Sequence, residues 1–447
     1  MLGGVRSLPA VARGRGSTEL SLVALVAPWG RTSGGGMMVA SQPWGRLMRV
    51  LFSLLPARGS LEPLLPVAAA LREAGHEVAF ASSSSFAPVV QERGFRSFPV
   101  GLDWLVSDPG YIQLLCEAAG GLVFPDLQGP ARFQWVVSRL FIGGAARAAL
   151  PDLTELVLRW GPDLLVRESL EFAGGVAAER AARPHVSVAA ASDSALDVRD
   201  DPVIWHQYAE ALQALRRDAG LHPDPGGTML YPFLHLCFTP PSFDGPDAPF
   251  PQTAAFHRSS ADIGGRPDAV SDTAGALPDV LVSLGTVFHR TPMLLETILA
   301  GLRQEPVRVH AAVGFDQDPA SFGPQPPSVE LAPWLPLQTL LRSAALLVTH
   351  GGFNSVKEAI SAGVPMVVVP IAGDQHYSAQ RCAALGIAEV VSPAERTSRR
   401  VQDAVRTVLH DPGYRTRVHQ LRQEMATLPA LDSAIHRLEH IAANGGS

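Results

Sequence analysis

Between residues 345 and 363 the chain reads ALLVTHGGFNSVKEAISAG. ALLVT has the unbroken apolar run of a buried strand, and His350 stands at its carboxyl end. Gly351 and Gly352 let the backbone turn sharply and approach a ligand closely. Asn354 and Ser355 then open a helix. A helix N-terminus presents free N–H groups and partial positive charge, and ligands of open α/β sheets bind at the carboxyl ends of strands. The segment is therefore a place to hold a diphosphate, with His350, Asn354 and Ser355 as side-chain donors. A second strand and turn, SLGT at 283–286, brings Gly285 and Thr286, and Thr286 is expected to reach the same phosphates from the opposite side. A plainer reading stands beside this one. Ser355 and Glu358 have the spacing of a capping box, which needs no ligand, and His350 and Trp334 could both be core residues.

These residues need a scaffold, and the pattern around them supplies one. From Met48 onward short apolar runs alternate with helix-period segments: RVLFSLL, LLPVAAALREAG, HEVAFAS, FAPVVQERG, PDLLVRES, FAGGVAAERAA and HVSVAAAS. The order predicts a mostly parallel, doubly wound sheet with right-handed crossovers. His76 is expected to close a helix–strand turn and His185 to begin a strand. Residues 241–278, rich in Pro, Gly, Asp and Ser, read as a linker. Alternation then resumes with DVLVSLGT, PMLLETILAGL, VRVHAAVG, LQTLLRSA, ALLVTHGG, NSVKEAISAG and PMVVVP. The expected layout is a leader at 1–47, an N-terminal Rossmann-like domain at 48–240, the linker, and a C-terminal Rossmann-like domain at 279–430. Residues 431–447 are expected as a terminal helix and tail, with apolar Ile435, Leu438 and Ile441 on one side.

Composition narrows the function classes. The chain has 447 residues, 47% hydrophobic and 17% charged, which suits two globular domains. A net charge of −6 gives no reason to expect nucleic acid as a partner. Three widely spaced cysteines, Cys116, Cys237 and Cys382, suit neither a disulfide framework nor a metal site and fit a reducing, cytoplasmic setting. The first 47 residues hold five arginines and one acid, Glu19, the composition of a transit peptide. Met37, Met38 and Met48 lie just before the first strand, so this leader is expected to be unstructured or a mis-assigned start. Its apolar patch LSLVALVA is too short to span a bilayer, and no membrane span is expected elsewhere.

Residues 334–375, WLPLQTLLRSAALLVTHGGFNSVKEAISAGVPMVVVPIAGDQ, resemble the signature box of the UDP-glycosyltransferase superfamily, and look closest to its bacterial antibiotic and macrolide branch. The resemblance implies an α/β chain of GT-B fold, two facing Rossmann-like domains with a cleft between them. It implies that Trp334 stacks on the donor base, Leu335 offers its backbone to the base edge, and Gln338 stands for a glutamine usually found one position earlier. His350, Gly352, Asn354 and Ser355 match the diphosphate-binding run. Glu358 matches the glutamate that accepts from the ribose hydroxyls, and Asp374 and Gln375 match the pair that contacts the transferred sugar. A carboxylate at Glu358 favours a UDP-hexose, with a dTDP-deoxysugar as the alternative. No cofactor or metal is implied beyond the nucleotide-sugar co-substrate, and no Asp-x-Asp cluster occurs at this site. The implied partners are that donor and a small hydrophobic acceptor, with a homodimer or an activator protein as further possibilities.

The same resemblance exposes an anomaly. In the family the turn after the first strand carries a general base, commonly His and sometimes Asp, three residues before a proline. In ARGSLEPLLP (57–66), Pro63 puts Ser60 at that place, and a serine hydroxyl has the wrong acidity to accept a proton near neutral pH. PDLLVRESLEF supplies Glu168 where the family has a carboxylate that orients the base. Glu168 itself, or through Ser60 and a water, is one candidate base; Asp193, Glu62 or His289 is another. The third possibility is an acceptor acidic enough to need little help, or a weak catalyst. The expected chemistry is inverting transfer of a hexose to a hydroxyl of a polyketide, macrolide or phenol. A non-catalytic auxiliary or a nucleotide-sugar epimerase remains the competing reading. Acceptor contacts are expected from segments 100–150 and 190–235, which read as irregular.

Overall fold

In a computed structural model, the structure describes residues 47–197, 201–259, 277–287, 291 and 293–445. Most of the expected leader and His289 lie outside them. Among the described residues thirteen strands form two all-parallel sheets. The first contains β1 (Arg49–Ser53), β2 (Glu77–Ser82), β3 (Arg96–Pro99), β4 (Leu164–Glu168), β5 (His185–Val188), β6 (His235–Cys237) and β7 (Ala254–Phe256), in the order β3-β2-β1-β4-β5-β6-β7. The second contains β8 (Asp279–Ser283), β9 (Arg308–Ala312), β10 (Val329–Ala332), β11 (Leu346–Thr349), β12 (Met366–Val368) and β13 (Ala388–Val390), in the order β10-β9-β8-β11-β12-β13. Both orders reverse direction once, between β1 and β4 and between β8 and β11. In a doubly wound sheet that reversal opens a crevice at the strands' carboxyl ends.

Alternation within each strand explains the layers. Val50 and Phe52 enter one apolar core and Leu51 another, because successive side chains point to opposite faces. In the second sheet Val280 and Val282 face one core and Leu281 the other. Helices cover both faces, so these strands read as continuous apolar runs. The last helix, Leu431–Asn444, crosses back to the first sheet. Its Leu431, Ala434, Ile435 and Leu438 join the core of Val50, Phe52 and Phe80. His76, at the turn before β2, meets Glu439 of that helix at 3.0 Å and accepts from the Met48 N–H through Nδ1 at 3.3 Å. His185 begins β5. The three cysteines are buried free thiols. Among the described residues no helix is long and apolar enough to cross a membrane.

Two expectations need correction. Residues 241–278 are not simply a linker. Helix Pro241–Asp244 sends Phe243 into the core of the second domain, and the chain then returns to the first sheet as edge strand β7. A three-residue strand between prolines leaves too little pattern to read. The segments expected as irregular are largely helical: Tyr111–Ala118, Gly129–Trp135, an eleven-residue π-helical stretch Val136–Ala146, Arg147–Trp160 and Pro202–Asp218. The π stretch is buried along most of its length, so its apolar residues show no single face of period 3.6.

Candidate active site between the two domains

The residues expected on the donor side sit at the second crevice. His350 follows β11 and is enclosed by the two glycine turns that meet there. A Cβ on Gly285 would lie 2.6 Å from the imidazole Nε2, and one on Gly352 would lie 2.5 Å from it. Gly285 also has φ +75°, and Gly351 φ +85°, where a side chain is strained. Burial lowers the His350 pKa to about 4, opposed in part by a hydrogen bond to the Ser283 backbone. The ring is therefore neutral at pH 7 and acts through hydrogen bonding. Thr286 lies in the turn after β8, in the same glycine-containing SLGT segment that touches the His350 ring.

Helix Phe353–Ala362 starts at Gly352, and no side chain caps it. Ser355 lies inside the helix, so the capping-box alternative fails. Its first N–H groups keep the anion-binding capacity of an open helix start. Asn354 does something the sequence did not reveal: its Nδ2 donates to the Gly59 carbonyl across the cleft at 2.9 Å, while its Oδ1 is buried without a partner.

Trp334 is exposed, and Phe315 lies nearly parallel to it, with ring centroids 6.4 Å apart and planes at 19°. Leu335 follows, half-buried. Gln338, one position late by the family pattern, still reaches Glu358, donating from Nε2 to Oε1 at 3.2 Å. Asp374 precedes helix Gln375–Ala384, and burial raises its carboxyl pKa to about 6. Gln375 is buried, and its Oε1 accepts from the Ile371 and Ala372 amides at 2.8 and 3.0 Å. That oxygen shapes the loop before the helix, which leaves the Gln375 amide nitrogen as the group free to face a sugar.

The residues expected on the acceptor side lie at the first crevice. Ser60 is in a one-turn helix, Arg58–Leu61, directly after β1. Glu168 closes β4 and is fully buried; it accepts from the Leu55 amide at 3.3 Å and from the Leu170 amide at 2.7 Å. No hydrogen bond joins it to Ser60 among the described residues. Burial pushes the Glu168 carboxyl up to about 7, with the Leu170 and Leu55 amides and Arg167 opposing and Glu171 reinforcing it. The two remaining candidates of the described part are engaged elsewhere. Glu62 pairs with Arg93 at 2.7 Å. Asp193, expected to face the cleft, is instead locked to His235 Nε2 at 2.9 Å, and His235 Nδ1 meets Ser187 Oγ at 2.7 Å. With Cys237 these two side chains form one group of metal-ligating type, three donor atoms within 4.8 Å, here hydrogen-bonded to one another.

Several contributors had no sequence signal. Arg167 is fully buried and donates to the carbonyls of Glu168, Ser169, Glu171 and Leu230, holding the loop after β4. Glu171 accepts from Ser53 Oγ at 2.6 Å, tying that loop to the end of β1. An arginine and a glutamate inside an apolar strand-and-loop run look like surface residues until the loop is folded.

Two parallel sheets whose crevices face each other across one cleft are the architecture of the GT-B glycosyltransferases, and the chain has that fold. Within this class, residues 311–441 match the erythromycin biosynthesis protein CIII-like C-terminal domain. The chain is 26% identical over 398 residues to the NDP-glycosyltransferase YjiC of Bacillus subtilis (strain 168), covering 86% of this chain and 95% of that protein. It is 29% identical over 391 residues to the L-demethylnoviosyl transferase of Streptomyces niveus, again 86% of this chain and 95% of the relative. Among solved structures, glycosyltransferase VinC in complex with dTDP superposes with a TM-score of 0.67 at 25% identity, covering 89% of this chain and all of that one. Fold and comparisons together make the chain a glycosyltransferase of the GT-B type, similar along most of its length to these named transferases.

Proposed function

We propose that the protein transfers a hexose from a nucleoside-diphosphate sugar, UDP favoured, to a hydroxyl of a small hydrophobic natural product in the cytoplasm, with inversion at the anomeric carbon. The observation that carries this reading is the line of groups on the second domain. It runs from Trp334 for the base, through the Gln338–Glu358 pair for the ribose, to the enclosed His350 and the uncapped helix for the diphosphate. Asp374 and the Gln375 amide nitrogen would face the sugar. Alignment of donor and acceptor in the cleft supplies the largest share of the acceleration, and the hydrogen-bond donors around the diphosphate stabilise its departure. Glu168, with a pKa near the working pH, is the proton acceptor, reached through Ser60 or a water.

A dTDP-sugar is the second reading, favoured by the dTDP-bound structure of VinC. The test is titration calorimetry with UDP and dTDP, followed by transfer assays with UDP-glucose and dTDP-glucose on polyketide and phenolic acceptors. Saturable binding of one nucleotide and product formation are expected. Binding of neither nucleotide overturns the transferase reading, and tighter dTDP binding replaces UDP.

A further inference from the structure

The turn at Ser60 carries a cation whose position no base argument uses. Arg58 begins the one-turn helix after β1, and its guanidinium lies 4.7 Å above the Phe315 ring. Phe315 belongs to the second domain and stacks beside Trp334. One residue along, the Gly59 carbonyl receives the Asn354 hydrogen bond, and Asn354 is in the first turn of helix Phe353–Ala362. The Arg58 backbone therefore stands at the diphosphate end of the donor groove and its guanidinium at the base end. Among the described residues no carboxylate pairs with it.

The donor groove has need of such a charge. A departing nucleoside diphosphate gains negative charge at the bridging oxygen as the bond to the sugar breaks. Two groups of the second domain on or beside the helix Phe353–Ala362 are unsuited. His350 is enclosed by glycines and held neutral by burial. Lys357, on the helix that would receive the diphosphate, is buried with its ammonium over the Phe238 ring of the first domain. A guanidinium is suited to two phosphate oxygens at once, and leaving an exposed aromatic face costs only about 1 kcal/mol.

We propose that Arg58 is a donor-binding and catalytic residue contributed by the first domain: when the donor binds, its guanidinium leaves the Phe315 face for the diphosphate and takes up the charge that develops there during transfer. This rests on the reading that the co-substrate is a nucleoside-diphosphate sugar. In the step itself the acceptor oxygen bonds to the anomeric carbon while the bond from that carbon to the diphosphate oxygen breaks. The electron pair stays on the diphosphate, next to Arg58, and the acceptor proton passes to Glu168. One turn thus presents the acceptor and holds the leaving group.

The test compares wild type, Arg58→Ala, Arg58→Lys and Phe315→Ala by titration calorimetry with UDP and dTDP, and with uridine and thymidine, which lack phosphates. Arg58→Ala should lose at least about tenfold in diphosphate affinity, the scale of a charge-assisted hydrogen bond, with nucleoside affinity unchanged. Arg58→Lys should recover part of the loss, and kcat should fall more than KM rises. Phe315→Ala should leave the ratio of diphosphate to nucleoside affinity unchanged. Equal losses for nucleoside and diphosphate would show that Arg58 acts through Phe315 packing and overturn the proposal, as would no loss at all. Wild type binding none of the four would overturn the donor reading with it, an outcome distinct from failure of Arg58 alone.

Discussion

At the scale of single residues, the site turns on how side chains are enclosed. His350 has room because Gly285 and Gly352 carry no Cβ. Gly352 has an ordinary φ of −60°, so Gly352→Ala introduces steric pressure without backbone strain. The imidazole should be displaced and nucleoside-diphosphate affinity should fall about tenfold by calorimetry, the loss of one hydrogen bond to a charged group. Unchanged affinity would remove His350 from the donor site. Glu168 makes a prediction in pH. Its folded pKa is raised to about 7, so folding favours the protonated acid. The stability this group allows is present below its ordinary pKa and is lost as pH rises through 7. Between pH 4 and pH 8 the wild type should lose on the order of 3 kcal/mol more in urea unfolding than Glu168→Gln, whatever the offset the lost amide acceptor gives that variant at pH 4. Most of the candidate donor residues are legible because they fall in one dense segment, 334–375, with fixed spacing. Arg58 is not legible in ARGSLEP: a lone arginine in a turn announces nothing until Phe315 and Asn354 arrive from the other domain.

At the scale of elements, the legible strands are those buried on both faces. β1, β4, β8 and β11 each hold three consecutive apolar residues, and they are the four that flank the two crevices. β6, β7, β12 and β13 have three residues each, and only β12 was read, because it lies inside the apolar run PMVVVP. The helix Ala173–Arg180 shows how packing overrides propensity. Alanine is a better helix former than glycine by about 1 kcal/mol, so Gly174→Ala should stabilise that helix in isolation. In the fold its Cβ would overlap the Ser53 hydroxyl and lie 2.6 Å from Glu171 Oε2, in the contact that ties β1 to the loop after β4. The variant should be less stable by about 1–3 kcal/mol in chemical denaturation. A gain in stability would mean that the Ser53–Glu171 contact yields without cost.

At the scale of the molecule, the chain stitches its two domains together more than once. Phe243 enters the core of the second domain between two strands of the first, Tyr377 of the second domain donates to Asp244 at 3.3 Å, and the last helix returns to the first sheet. Leu438 is fully buried there. Leu438→Ala should destabilise the molecule by about 2–5 kcal/mol, with amide exchange in β1 and β2 accelerated more than in β8 and β11. Equal acceleration in all four strands would mean that the two domains open as a single cooperative unit. The position of the returning helix has a consequence for the order of synthesis. During translation the strands of the first sheet leave the ribosome early, and helix Leu65–Glu73 covers part of the face made by Val50, Phe52 and Phe80, yet the share covered by Leu431, Ala434, Ile435 and Leu438 stays open until residues 431–444 have been made. The first domain, although first to emerge, is therefore the last to be completed. A nascent chain must carry an open apolar face through the whole synthesis of its partner domain, which makes this face the natural point of engagement for a chaperone.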